Sequence, residues 1–353
     1  MKVLIGEITS YKAIVIAKYL ANYYNNLSIA TYDSKLFTKK IFTKFSSQNF
    51  SIERPDLDRY IDNLSELILK ENIDFFFPVH SDYIGEILKR KEIFGNSLDY
   101  LGDLEQYEKL HDKKSLQEIV SKLNIPIPIN FPNYENAEIP FVAKPTSGSS
   151  AKGVRYFTSE TEHFKKDEIN SENYVFQEYI DGVGCGYSVY AVNGKIITGY
   201  GHLRLAEFPV TGGSSIYRES FYVNEMKEIA EQILKEVPWT GFAMFEFKLK
   251  PNGTLVLIEV NPRIWGSINQ GLQNGVNYFE PILGKPTKII GNTKHETKTY
   301  LSPQIYLSLF LYLLKGNLKP ITTFLKNIKY NKADVSIFDD PKGWLSIILR
   351  KIL

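Results

Sequence analysis

Apolar positions along this chain follow two periods, and the switch between them marks out the elements. Residues 2–7 form a short apolar run that reads as a buried strand, and Ile14, Ala17, Leu20, Ala21 and Tyr24 follow at helical spacing. Residues 27–32 are a second strand closed by Asp33, residues 57–70 an amphipathic helix, and residues 73–79 a third strand. That order predicts parallel βαβ units and an open α/β domain. A dinucleotide site of this shape needs G-x-G-x-x-G after its first strand. Only Gly6 stands there, so the doubly wound shape is expected without that site.

Beyond residue 110 the pattern changes. Residues 112–123 read as a helix, stopped by Asn124-Ile125-Pro126-Ile127-Pro128, because proline cannot continue it. Strands are expected over residues 141–144 and 154–157, on either side of a small-residue run, and over 174–180 ahead of a glycine-rich stretch. Residues 187–192 and 195–200 flank Asn193-Gly194, a strong hairpin signal. Residues 225–234 are helical, and 242–249 and 254–260 form another hairpin around Asn252-Gly253.

Among 353 residues, 42 Lys+Arg and 40 Asp+Glu leave a net charge of +2, which excludes the strongly basic footprint of a nucleic-acid binder. The single cysteine, Cys185, excludes an intrachain disulfide and a Cys-based zinc site, and is compatible with the reducing cytoplasm where the protein is expected. No apolar run reaches the ~18–20 residues of a membrane span, and the charge at Glu7 leaves no signal-peptide core. The charge is unevenly spread, since residues 286–353 hold 11 Lys and Arg against 4 Asp and Glu.

The second hairpin carries the most informative chemistry. A two-residue loop at Asn252-Gly253 sets Glu246 directly opposite Glu259, and strand alternation puts Asn261 on the face of Glu259. Their neighbours Ala243, Phe245, Phe247, Val256, Ile258 and Val260 are apolar and fit a buried opposite face. Opposed like charges destabilise a sheet, so two carboxylates in an apolar hairpin want a cation. An all-oxygen set of Glu, Glu and the Asn carbonyl suits Mg²⁺ or Mn²⁺; the alternative is a pair of solvated glutamates. Arg263 follows two residues on, placed either to meet phosphate oxygens or to form an ordinary surface ion pair. Upstream, Gly148 and Gly153 have P-loop spacing, but Val154-Arg155 follows instead of Lys-Ser/Thr, and a strand follows instead of a helix. A Gly/Ser loop between strands can still cover phosphates with its backbone N–H groups, and Lys144 lies just before it.

In order, the chain presents Asp112-Lys113 with Ile125-Pro126, Val142-Ala143-Lys144-Pro145 with the Gly/Ser loop, and Phe176-Gln177-Glu178-Tyr179-Ile180. Phe245-Glu246-Phe247 and Ile258-Glu259-Val260-Asn261-Pro262-Arg263 complete the series. Over roughly residues 1–285 this resembles the ATP-grasp superfamily, in particular the carbamoyl-phosphate-synthase-like carboxylate–amine ligases. The resemblance implies an α/β fold in three parts. A Rossmann-like N-terminal domain over 1–105 lacks the dinucleotide fingerprint. A two-lobed α+β ATP-grasp domain spans 106–285, its small lobe about 115–180 and its large lobe about 181–285. A basic, mostly helical extension covers 286–353.

The resemblance also implies roles. Lys113 and Lys144 would contact ATP phosphates, and the loop holding Ser147, Gly148, Ser149 and Ser150 would close over them. Glu178 would accept from the adenine amino group, with the backbone of Tyr179 and Ile180 reading the base edge. Relatives often bind the ribose with an acidic side chain seven residues after Glu178, where this chain has Cys185. Glu246, Glu259 and Asn261 would hold two Mg²⁺ or Mn²⁺ ions, and Arg263 would stabilise the transferring phosphoryl group. Arg204 and Arg218 lie in a stretch that also looks like this subgroup. Each is either a partner of the acyl phosphate or substrate carboxylate or a structural ion pair to Glu207 or Glu219. Ser81 and Asp82 are expected to face the cleft and touch substrate.

The implied reaction is ATP-dependent joining of a small-molecule carboxylate to an amine through an acyl phosphate. Two alternatives are a catalytically decayed nucleotide-binding regulatory protein and a kinase-like enzyme stopping at the acyl phosphate or carbamate. The basic tail holds two apolar helical stretches, over 305–318 and 344–353. They pack on the core, or else form a homodimer contact or a peripheral membrane element.

Overall fold

The first three apolar runs become neighbouring strands of one parallel sheet. In a computed structural model, which describes residues 1–34, 43–146, 153–158, 173–210, 213–288 and 296–352, they are β1 (Lys2–Ile5), β2 (Ser28–Asp33) and β4 (Phe75–Phe77). A fourth strand, β3 (Gln48–Ser51), pairs with β2 and gives the order β3-β2-β1-β4. Helix α1 (Tyr11–Tyr23) is capped by Ser10 and α2 (Leu57–Lys70) by Asp56, each accepting from a first-turn amide. Short α3 (Ile84–Lys89) and α4 (Leu104–His111) follow. The Asp112 carboxylate accepts from Ser115 N at 2.8 Å, which starts α5 (Lys113–Lys122) and makes Lys113 its first residue.

The small lobe is a four-stranded sheet of order β5-β8-β6-β7, from β5 (Asn130–Phe131), β6 (Phe141–Pro145), β7 (Arg155–Phe157) and β8 (Tyr174–Glu178). It has its own core, in which Phe141 stacks on Phe157 with ring centroids 4.4 Å apart, over Ala143 and Phe176. The large lobe holds β9 (Val183–Val192), β10 (Lys195–Phe208), β11 (Ser214–Ser220), α6 (Asn224–Glu236), β12 (Gly241–Leu249) and β13 (Leu255–Asn261). Two short helices, α7 (Ile268–Gln273) and α8 (Glu280–Leu283), close it. Its core runs without a break into that of the N-terminal domain.

The C-terminal segment is more than helices laid on a finished core. It adds β14 (Lys298–Tyr300), α9 (Gln304–Leu314), α10 (Lys319–Lys326), β15 (Asn331–Ala333) and α11 (Pro341–Ile352). Strand β14 pairs with β11 and β15 with β14, so the large sheet reads β13-β12-β9-β10-β11-β14-β15. Asp334, just past β15, makes a fully buried ion pair with Arg218 of β11 and accepts from Asn269 Nδ2 at 3.0 Å. Helix α11 returns to the N-terminal domain, where Arg350 donates to Thr9 Oγ1 at 2.8 Å. Three-residue edge strands carry too little alternation to be read from sequence, which is why this segment looks purely helical there.

Candidate active site

Strands β12 and β13 set the centre of the site. Met244, Phe245 and Glu246 face Asn261, Val260 and Glu259, whereas Phe247, Lys248 and Leu249 face Leu257, Val256 and Leu255. The loop spans Pro251, Asn252 and Gly253, since Lys250 N donates to Thr254 O and Gly253 N donates back to Lys250 O. Gly253 has φ +88°, a left-handed conformation that favours glycine. The expected two-residue turn is therefore corrected to a loop one residue longer. A bulge then restores the pairing, because Ile258 and Glu259 together oppose Glu246. Ile258 lines the cleft, which corrects its expected place on the buried face.

Asn261 ties the carboxylates together. Its Nδ2 donates to Glu259 Oε1 at 2.8 Å and Glu246 Oε1 at 3.2 Å, while its Oδ1 accepts from Arg263 Nη2 at 2.8 Å. Arg204 of β10 forms an ion pair with Glu246 and lies 3.5 Å from Glu207. Gly184 makes room for it, as a Cβ there would sit 2.7 Å from Arg204 Cδ. From the small lobe, Lys144 Nζ donates to Gln177 Oε1 at 2.8 Å, and Gln177 donates in turn to Asn130 Oδ1 at 2.8 Å. Glu178 accepts from Ile129 N at 3.2 Å and lies 3.8 Å from Lys250.

These groups surround a cleft of about 390 Å³ between the lobes. Lys113, Lys144, Glu178, Tyr179, Ile180 and Ser81 line it, as do Arg204, Glu246, Glu259 and Arg263. Burial raises the Glu246 carboxyl, against the pull of Arg204. Burial also works against the Glu259 charge, but Lys113, the Asn261 hydrogen bond, Lys144 and Arg263 outweigh it and hold this carboxyl below the ordinary range. Burial lowers Lys144 to about 8, opposed by Glu259. Neighbouring His202 is driven down to about 3 by burial and by Arg204 and Arg218, so it is a neutral wall of the cleft.

The two opposed carboxylate groups of this hairpin fit hard divalent cations, with no sulfur or imidazole among them, whereas Asn261 would have to turn its amide to add Oδ1, which here accepts from Arg263. The Nε atoms of Arg204 and Arg263 are buried with no partner among the described residues, leaving two cationic donors beside the glutamates.

Not every expected residue reaches the cleft. Arg218 is fully buried, ion-paired to Asp334 and bonded to Gly266 O at 3.3 Å, so the structural alternative describes it, with a partner other than Glu207 or Glu219. Asp82 sits beside His80 and is not among the lining residues, unlike Ser81. Cys185 is fully buried in β9 between Phe247 and Leu203 and is not among the residues lining the cleft. Ser147, Gly148, Ser149 and Ser150 lie outside the described residues. Among the lining residues that escaped the sequence reading are the polar side chains of Lys12, Tyr156 and Lys248. Only Lys248 left a signal there, since it shares the Glu246 face by alternation.

The cleft between the small antiparallel lobe and the larger one, floored by paired glutamates and flanked by lysines, sets a site for a hard cation beside positive charge, as a metal-bound polyphosphate would require. Residues 109–267 match the family model for an ATP-grasp domain, a domain whose enzymes are mostly ATP-dependent ligases and carboxylases. The fold is shared with the biotin carboxylase of Campylobacter jejuni, solved as a β,γ-ATP complex (12% identity, 84% of this chain and 74% of that one, TM-score 0.65). It is also shared with the L-amino acid ligase of Bacillus licheniformis (14% identity, 81% and 75%, TM-score 0.60). A third match is the biotin carboxylase domain dimer of the Hydrogenobacter thermophilus 2-oxoglutarate carboxylase with MgADP (15% identity, 78% and 67%, TM-score 0.60). At these identities the likeness is one of fold. No curated protein matches the sequence.

Proposed function

We propose that this protein is an ATP-dependent ligase that activates a carboxylate as an acyl phosphate and joins it to an amine. The observation that carries the reading is the Glu246–Glu259 pair, bridged by Asn261 and flanked by Arg204, Arg263, Lys113 and Lys144. Glu246, Glu259 and Asn261 would hold Mg²⁺. Bound there, the metal would neutralise charge on the β- and γ-phosphates. Lys113 and Lys144 would bind phosphate oxygens, and Glu178 with the Tyr179–Ile180 backbone would hold the base. A substrate carboxylate oxygen attacks the γ-phosphorus and ADP leaves. The amine then attacks the acyl carbon, phosphate leaves, and the nitrogen loses a proton.

Arg204 and Arg263 supply fixed positive charge where the transferring group gathers negative charge, a preorganised contribution that costs no reorientation during reaction. Such a reaction needs positioning rather than covalent help from the protein, so it calls on no nucleophilic side chain. The test is phosphate release from ATP and Mg²⁺ across a panel of paired amino acids, with products identified by mass. Release that requires both a carboxylate and an amine, and that is lost in Glu259→Ala, supports ligation. An acyl phosphate or carbamate product without an amine, or ATP-dependent thermal stabilisation with no turnover on any pair, would replace it with the kinase-like or regulatory reading.

A further inference from the structure

Helix α9 is apolar nearly all round, which is the pattern of a helix covered on both sides. Its inner face is covered. Ile305 and Tyr312 pack with Ala206, Ile216 and Tyr217, and Ser308 Oγ donates to Glu207 O at 2.8 Å. The outer face, Tyr306, Leu307, Phe310, Leu313 and Leu314, is more than half exposed at every position. These residues recur at intervals of three and four, so they form one stripe. The following turn and α10 continue the exposure with Leu318, Leu325 and Ile328. Eight large apolar side chains in one helical pair exceed the scattered single exposures of an ordinary surface.

The charges around this stripe identify its cover. Between Glu296 and Asp334 the chain has no acidic residue, while Lys315, Lys319, Lys326, Lys329 and Lys332 are all exposed. A second copy seated face to face would bring lysines against lysines. A surface apolar at the acyl boundary and negative at the headgroups matches both halves of the pattern. No helix among the described residues is long and apolar enough to cross a bilayer, so insertion would be shallow. We infer that the α9–α10 hairpin docks the protein on an anionic membrane surface, with the α9 stripe entering the interface and the lysines meeting lipid headgroups. The same helix is bonded to Glu207, whose side chain lines the cleft, so the docked face adjoins the site.

The test is flotation of the full-length protein with vesicles of phosphatidylcholine alone and of phosphatidylcholine with phosphatidylglycerol in equal parts. Binding to the anionic vesicles only, weakened by salt, is expected. Each Lys→Gln change at Lys315, Lys319 or Lys326 should weaken partitioning about fivefold. Phe310→Glu with Leu313→Glu should abolish it. These positions are exposed, so unchanged circular dichroism and thermal melting should accompany the loss. No binding to anionic vesicles, or equal binding by the Phe310→Glu/Leu313→Glu protein, overturns the inference. So does a wild-type dimer in sedimentation that this double change dissolves while vesicle binding is absent, which would assign the stripe to a second copy.

Discussion

Glu246 stands directly across the hairpin from Glu259 because two departures from regular pairing cancel. The loop of Pro251, Asn252 and Gly253 offsets the ladder by one residue, and the bulge at Ile258 returns it. A bulge inserts one residue without disturbing the pairing beyond it, and it increases the local twist. Here it also turns Ile258 toward the cleft.

The shape of the cleft floor around the glutamates should therefore depend on the bulge and not on loop length. Deleting Pro251 leaves Lys250 facing Thr254 across Asn252-Gly253, a sequence suited to a two-residue turn. That variant should keep phosphate release within about twofold of the parent, since nothing near the glutamates moves. Deleting Ile258 removes the bulge and reshapes the floor of the cleft. Mg²⁺- and ATP-dependent activity should then fall by about a hundredfold or more. Equal tolerance of both deletions would show that the bulge does not matter.

The sequence made this pair legible for a reason that survived the wrong loop. Glutamates inside an apolar hairpin are conspicuous, and either register keeps them close. Lys144 and Arg263 were legible from position, at a strand end and two residues past Asn261, whereas Glu178 and Arg204 were legible only through the resemblance to the ATP-grasp superfamily. What stayed hidden depends on partners far along the chain. Arg204 and Arg218 are register partners on β10 and β11, and nothing local separates them. Only Asp334, more than a hundred residues later, claims Arg218. Likewise β3, β14 and β15 are edge or near-edge strands of three or four residues, whose pairing is decided by the neighbouring strand and not by their own pattern.

Gly184 gives a test of Arg204. Adding a Cβ at Gly184 meets Arg204 Cδ at 2.7 Å and Glu207 Oε1 at 3.1 Å, so the Arg204 side chain must shift out of its pairing with Glu246. Gly184→Ala should lower kcat by about tenfold or more if Arg204 touches the transferring group. KM for ATP should change little, because the lysines are untouched. A variant with unaltered kcat would remove Arg204 from the reacting centre.

Lys144 should make ATP binding depend on pH. Its ammonium is brought down to about 8 by burial, while a bound phosphate would favour the charged form and raise it. Below pH ~8 the side chain is already protonated and affinity should be flat. Above that value binding must take up a proton, so affinity should fall by up to about tenfold per pH unit until the raised value of the complex is reached. Calorimetry at pH ~8.5 in buffers of different ionisation enthalpy should register the proton uptake. Lys144→Arg, which keeps its charge across this range, should abolish it.

The Arg218–Asp334 pair separates structural from catalytic arginine. Both side chains are fully buried, and a buried ion pair costs most when only one partner is removed, about 3–5 kcal/mol, because the other charge stays behind. Arg218→Met and Asp334→Leu should therefore each lower the melting temperature sharply, while the double variant should recover most of the loss, since apolar replacement of a buried pair is often neutral. The recovered double variant should also release phosphate with nearly the parent's kcat and KM. A double variant that melts normally but has a strongly raised KM for the carboxylate would return Arg218 to the substrate. Failure of the double change to rescue the fold would instead show that the Asn269 and Gly266 bonds to this pair hold β14 and β15 against the sheet.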